Sequence, residues 1–314
     1  MSSPLQFYRS FKALLREHGI RAVLTSGMAC VEYGIQQTTK DTDWIVEPAD
    51  LHALADLFER QEAKHGWRIS YRPLFGAPLT EAYLGHGWTS HFAVHDAPDS
   101  PEHHLDLFGQ PPRVPLAEAL ADAPEGIASR LVVAQMKKTD RAKDWPFING
   151  LAIQSLEDGD FRGLLHLRDP SLLKSYFAQL PSGQLARFTE QRPLLRHIAD
   201  SGETDLERLL LVEVSIWQAV NRERYLVYQH VWKEFYRRWL AAEPGVWPSQ
   251  EPFSAQHRRL VAAVARHGLP SSPLTAEPDR RAAYDRGIAR ARALMRASEE
   301  EVHATAPPFA TIFP

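Results

Sequence analysis

Residues 21–48 read RAVLTSGMACVEYGIQQTTKDTDWIVEP, and the fold assignment of this chain turns on them. The run RAVLTS stops at Gly27, which predicts a short buried strand over 21–26. Met28 to Tyr33 suits a short helix ended by Gly34, the residue that enters the left-handed region at least cost. A polar stretch, Gln36 to Lys40, then leads into DTDWIVEP, a second strand closed by Pro48. Strand side chains alternate, so Asp41, Asp43 and Ile45 share one face while Trp44 and Val46 take the other. Two carboxylates about 7 Å apart on one strand face repel each other unless a cation lies between them. Hard oxygen ligands on a rigid strand suit Mg2+ (or Mn2+), which takes one or two protein carboxylates and fills its shell with phosphate and water.

The same alternation in HHLDLFG (103–109) puts His104, Asp106 and Phe108 on one face and Leu105 and Leu107 on the other. With this strand beside the first, Asp106 completes a cluster of three carboxylates able to hold two metal ions. Upstream, Thr25-Ser26-Gly27 marks the junction of strand and helix. Gly27 lets backbone N–H groups approach a phosphate, the helix N-terminus adds a favourable dipole, and the Ser26 hydroxyl offers one more donor.

Taken together, VLTSGMACVEYGIQQTTKDTDWIVEP and the later strand aspartate resemble the signature of the DNA polymerase β-like nucleotidyltransferase superfamily, in particular its minimal bacterial members such as AbiEii-type toxin-like nucleotidyltransferases. The resemblance covers about residues 20–150. It implies an α+β fold, a mixed sheet flanked by helices, followed here by a mainly helical domain. It also implies that Asp41, Asp43 and Asp106 are the catalytic metal ligands and that Ser26 and Gly27 form the phosphate-binding turn. The run MKKTDRAKDWPFI (136–148) is similar to a helix of that family; by this analogy Lys137, or else Lys138, contacts nucleotide phosphate and Asp144 supports the fold. Two positions depart from the pattern. The turn reads Ser26-Gly27 rather than Gly-Gly or Gly-Ser, and Gln37 and Thr38 stand where relatives often carry an arginine.

The activity implied is metal-dependent transfer of a nucleoside monophosphate from an NTP, ATP among them, to an acceptor hydroxyl on tRNA, a protein or a small molecule, with Asp106 helping to deprotonate the acceptor. Toxin-like relatives imply a cognate antitoxin or operon partner. The departures at Ser26 and Gln37 motivate an alternative: a non-catalytic binding or regulatory protein of the same fold. A weaker third reading, a metal-dependent hydrolase, rests on His86, His91, His95, His103 and His104, whose spacing matches no zinc motif.

The remaining sequence bounds these readings. At 314 residues, 44% hydrophobic and 24% charged, the chain has the composition of a soluble globular protein with room for one large domain or two. No apolar run is long enough to span a bilayer, so no membrane partner is expected. Leu5, Tyr8, Phe11 and Leu15 predict an amphipathic first helix rather than a secretory signal. One cysteine, Cys30, excludes an internal disulfide, reads as a small buried residue and fits a reducing cytoplasm. A net charge of −3 gives no global attraction to nucleic acid, so any such contact needs a local basic patch.

A helix is expected over 49–63 and further strands over 67–73 and 88–96. From about residue 115 the pattern turns helical, with proline-bearing breaks at 244–252 and 270–278. The expected organisation is an α/β domain over 1–150, a helical domain over 151–300 and an extended or disordered tail over 301–314. Within the helical part, Tyr284, Ile288, Ala291 and Met295 form a stripe flanked by arginines, read as an amphipathic helix and, alternatively, as an RNA-gripping patch. Tyr225, Tyr228, Trp232, Phe235, Tyr236 and Trp239 read as bundle core.

Overall fold

A computed structural model of the chain describes residues 3–72, 76–121, 123, 125–243, 247, 251–274 and 276–314. Five strands form one mixed sheet: β1 (Ala22–Thr25), β2 (Asp41–Val46), β3 (Arg68–Tyr71), β4 (Thr89–His95) and β5 (His103–Phe108), in the order β1-β2-β5-β4-β3. β2 and β5 run parallel, and the other neighbours pair antiparallel. Pro73, at the end of the strand expected over 67–73, lies outside the described residues, as do parts of both proline-bearing stretches.

The sheet has one apolar and one polar face because its strands keep period-two alternation. Trp44, Leu105, Leu107, Phe92 and Tyr71 are buried on the apolar side. Helix α1 (Pro4–Glu17) covers them with Phe7 and Phe11, and Phe11 meets Trp44 edge-on at 5.5 Å. After α2 (Ser26–Glu32), α3 (Leu51–His65) adds Phe58, whose ring lies 5.3 Å from Phe92 and 5.2 Å from Phe253. Edge-to-face aromatic packing of this kind adds about 0.5–1.5 kcal/mol per pair to simple burial.

Both borders of the sheet are closed. At β3, the amide of Ile69 donates to Glu62 and that of Tyr71 to the Gln256 side chain, both at 3.0 Å. The Gln256 amide in turn donates to the carbonyl of Ile69, and the Trp247 indole donates to that of Tyr71. Gln256, fully buried, thus bonds the border strand as a neighbouring backbone would. At β1, the Leu24 amide donates to Gly126 and the Leu24 carbonyl accepts from Ala128.

The chain divides into two units, and the division differs from a boundary near residue 150. The first comprises Met1–Pro111, Pro115–Ala128 and Val227–Pro273. It takes in the aromatic run from Tyr228 onward, with Tyr225 left in the second unit: Tyr228 meets Trp88 edge-on at 5.0 Å, and Trp232, Phe235 and Trp239 are buried. Those aromatics lie outside the expected helical domain because a buried ring shows that it has a core, not which core it joins.

The second unit comprises Pro112–Val114, Ser129–Leu226 and Leu274–Pro314. Its core gathers Leu156, Leu164, Leu167, Phe188, Leu195 and Leu206. Several of its buried cations bond backbone carbonyls: Lys138 that of Leu165, Arg113 that of Gln135, and Arg192 those of Leu164 and Leu167. Arg192 also makes a two-pronged pair with buried Glu213 at 2.8 and 2.7 Å.

Two expectations here are corrected. The tail is helical over Glu299–Thr305, opened by a Ser298–Glu301 capping box, and again over Phe309–Ile312, with Ile312 buried. Its prolines sit between these turns (Pro307 and Pro308) and after them (Pro314) rather than inside them. The buried stripe of helix Glu277–Met295 is Ala283, Gly287 and Ala291, with Tyr284, Ile288 and Met295 only partly covered. Small residues win that face because a side chain at 287 would lie 2.5 Å from Val220 Cα, so the backbones themselves are in contact.

Candidate active site

β1, β2, β5 and β4 bring one residue each to a single row on the polar face: Thr25 opposite Asp43, Asp43 opposite Asp106, and Asp106 opposite His91. Residues directly opposite in paired strands lie on the same face with backbones about 4.8 Å apart. The next row places Asp41 opposite His104. Asp41, Asp43 and Asp106, distant in sequence, therefore occupy one patch of sheet. Parallel pairing of β2 with β5 produces this register, and both aspartate-bearing strands turn leucine, tryptophan or threonine into the core behind it.

The carboxylates have basic neighbours. Asp41 Oδ1 lies 2.8 Å from His104 Nδ1, and the other nitrogen of that ring lies 3.0 Å from Glu102 Oε1. Asp106 Oδ1 approaches His91 Nδ1 to 2.8 Å and Arg72 Nη1 to 3.6 Å, and the Asp106 side chain is 17% exposed. Among the described residues, no group of three or more His, Cys, Asp or Glu side chains converges as a ready metal cage. The donor set and backbone placement suit a hard cation, whereas the carboxyl groups of Asp41 and Asp106 are turned towards histidines. Rotation of those two side chains would be needed for the three to share an ion.

Sequence reading placed His104 on one strand face with Asp106 but took His91 only as a member of a histidine-rich region, and it missed Arg72 and Glu102. Strand order was needed to set His91 against Asp106. Arg72 follows β3 and reaches the site through the hydrogen bond between its amide and the His91 carbonyl, 2.9 Å.

The turn lies next to this row. Ser26 follows Thr25 and opens α2 with φ +53°, a left-handed conformation uncommon for a residue with a side chain. The expected helix thus begins two residues early and runs seven residues, to Glu32. Gly34 has φ +69°, as its position after the helix predicts. Gly27 has a packing reason of its own: a Cβ there would lie 2.7 Å from Thr39 Oγ1. Its small size admits the Thr39 side chain, which differs from the expected close approach of a ligand.

Lys137 belongs to the second unit, where it ends helix Arg130–Met136. It is 4% exposed, its ammonium lies 3.4 Å from Asp144 Oδ1, and Asp144 also accepts from Thr139 and Arg141. Asp144 is thus the hub of a local network, in keeping with a supporting role. Lys138 is 5% exposed and packs its ammonium 4.6 Å from the Trp217 ring centroid, and burial pushes its pKa down to about 7. Cys30 is buried, as expected of a small core residue.

Beside the carboxylate patch runs a groove of about 1260 Å3 along β3, lined among others by Arg60, Lys64, Arg68, Arg72 and His104. Arg72 and His104 border both features. No described helix is long and apolar enough to cross a membrane. Neither protein-family models nor curated proteins give a match to this chain.

Proposed function

We propose that the first unit is a metal-dependent nucleotidyltransferase. The observation that carries this reading is the row Thr25–Asp43–Asp106, with Asp41 two residues along the same strand face and the Ser26 turn directly beside it. Asp41, Asp43 and Asp106 would hold Mg2+, which supplies charge neutralisation for carboxylates and triphosphate alike. Asp106 takes the proton of the acceptor hydroxyl as its oxygen bonds to the α-phosphorus and pyrophosphate leaves. The left-handed Ser26 supports a role for the turn in phosphate binding, since strain of about 1–3 kcal/mol at one residue is characteristic of ligand-contacting segments. Lys137 is not part of this site as proposed, because its charge is committed to Asp144.

Incubation with Mg2+ and each α-labelled NTP, with total tRNA, with protein extract or alone, tests the reading. Label should pass to an acceptor and be lost in Asp41→Asn and Asp43→Asn. Turnover that persists in both variants would exclude it.

A second reading, a non-catalytic nucleotide-binding or regulatory protein, is favoured by the contacts of Asp41 with His104 and of Asp106 with His91 and Arg72, which balance the carboxylates internally. NTP or Mg2+ binding without transfer to any acceptor selects it.

A further inference from the structure

We propose that His104, anchored by Glu102, is a latch on Asp41 that a divalent cation has to open, so that metal affinity is set by competition for this carboxylate. The latch rests on the metal site of the nucleotidyltransferase reading and supplies its regulation.

Strand register builds the contact. Asp41 on β2 stands directly opposite His104 on β5, and His104 in turn stands opposite Ala93 on β4. The Ala93 side chain offers no polar group, and the ring meets the carboxylates of Asp41 and Glu102 instead. Its Nδ1 lies 2.8 Å from Asp41 Oδ1, and its Nε2 lies 3.0 Å from Glu102 Oε1. A ring engaged at both nitrogens does not swing aside without losing Glu102 as well. Opening therefore falls on Asp41, whose side chain is 50% exposed and has room to turn.

Asp106 is held more firmly. Its side chain is 17% exposed, with His91 Nδ1 at 2.8 Å and Arg72 Nη1 at 3.6 Å. The His91 ring is itself confined, since a Cβ on Gly76 would lie 3.0 Å from its Cδ2. Of the two carboxylates turned towards histidines, Asp41 is the one that yields first.

A charge-assisted hydrogen bond and a bond to a metal ion draw on the same oxygen lone pairs. While His104 holds Asp41, a bare ion has to displace it unaided. An ion that arrives on a triphosphate brings phosphate ligands of its own and depends less on this carboxylate. The latch thus favours the ion–nucleotide complex over the bare ion. The competing account is a structural pair in which His104 only steadies β2 against β5. It predicts lower stability on replacement of His104 and an unchanged metal affinity.

The test is titration of the full chain with MnCl2 at fixed pH and without NTP, free Mn2+ being read by electron paramagnetic resonance. His104→Phe keeps a ring and removes both nitrogens. His104→Ala removes the ring and guards against misfit of the phenyl group. Loss of a hydrogen bond to a charged group should tighten Mn2+ binding about tenfold over wild type. Asp41→Asn should abolish that gain, so that His104→Phe/Asp41→Asn binds no better than Asp41→Asn alone; such coupling assigns the effect to this pair. A gain in either variant that depends on Asp41 supports the latch. Unchanged or weaker binding in both variants, or a gain that survives Asp41→Asn, would overturn it. Where wild type binds Mn2+ and Asp41→Asn does not, an absent gain discards the latch and keeps the metal site. Mn2+ bound by neither wild type nor the His104 variants discards both.

Discussion

Asp43 and Asp106 stand directly opposite each other on parallel strands, with His91 opposite Asp106 on the far side. Like charges so placed oppose each other by up to about 1 kcal/mol. Asp43→Asn should therefore raise the unfolding free energy in EDTA by about 0.5 kcal/mol and abolish the stabilisation that Mg2+ gives the wild type. Urea unfolding with and without MgCl2 measures both, and a wild type indifferent to Mg2+ and Mn2+ would remove the metal site.

Ser26 offers a test of the turn. Its left-handed backbone costs about 1–2 kcal/mol relative to glycine, part of which glycine returns through its greater freedom when unfolded. Ser26→Gly should gain about 0.5 kcal/mol in stability. If the hydroxyl donates to phosphate, the KM for NTP should rise in the same variant, read by calorimetric or kinetic titration.

Gly287 should tolerate no side chain. Alanine normally gains about 1 kcal/mol over glycine inside a helix, but here its Cβ would lie 2.5 Å from Val220 Cα and 2.7 Å from Val220 N. Backbone atoms cannot give way, so Gly287→Ala should lose about 1–3 kcal/mol, visible as a lower Tm. A raised Tm would show that the two helices are less closely seated.

Lys138 makes stability depend on pH. Burial lowers its pKa from 10.5 to about 7, so between those values the unfolded chain binds a proton that the folded chain does not. Stability attributable to this group is thus highest above pH 10.5, falls as pH drops and levels off below about 7. Lys138→Met should narrow that dependence: its stability relative to wild type is greatest near pH 6 and declines by several kcal/mol towards pH 10, at roughly 1.4 kcal/mol for each pH step of one. Parallel urea titrations of the two proteins across this range check the sign, and parallel curves would contradict it.

The sheet is legible in the sequence because its residues alternate without exception where it matters: Asp41, Thr42, Asp43 and Trp44 in one strand, His104, Leu105, Asp106 and Leu107 in the other. Their adjacency is only a conditional expectation, since period-two patterning says which way a side chain faces but not which strand lies beside it. That is also why His91 and Arg72 do not announce themselves as neighbours of Asp106, being brought there by pairing alone. The division into units escapes the sequence because it is discontinuous: 227–273 returns to the first unit, and helical periodicity carries no record of such a return. The tail misleads for a local reason. Prolines at 307 and 308 suggest an extended chain, whereas they only separate two short helices, the second of which buries Ile312 and leads into buried Phe313.

The two faces of the sheet separate what makes the chain fold from what we propose it does. Aromatic substitutions behind Trp44 and Phe92 act on whether the fold forms at all, while changes at Asp41, His91, His104 or Arg72 act on a surface that the fold does not need. Such a scaffold can lose one chemistry and acquire another through a few replacements on its open side, with its ancestry still readable on the closed one.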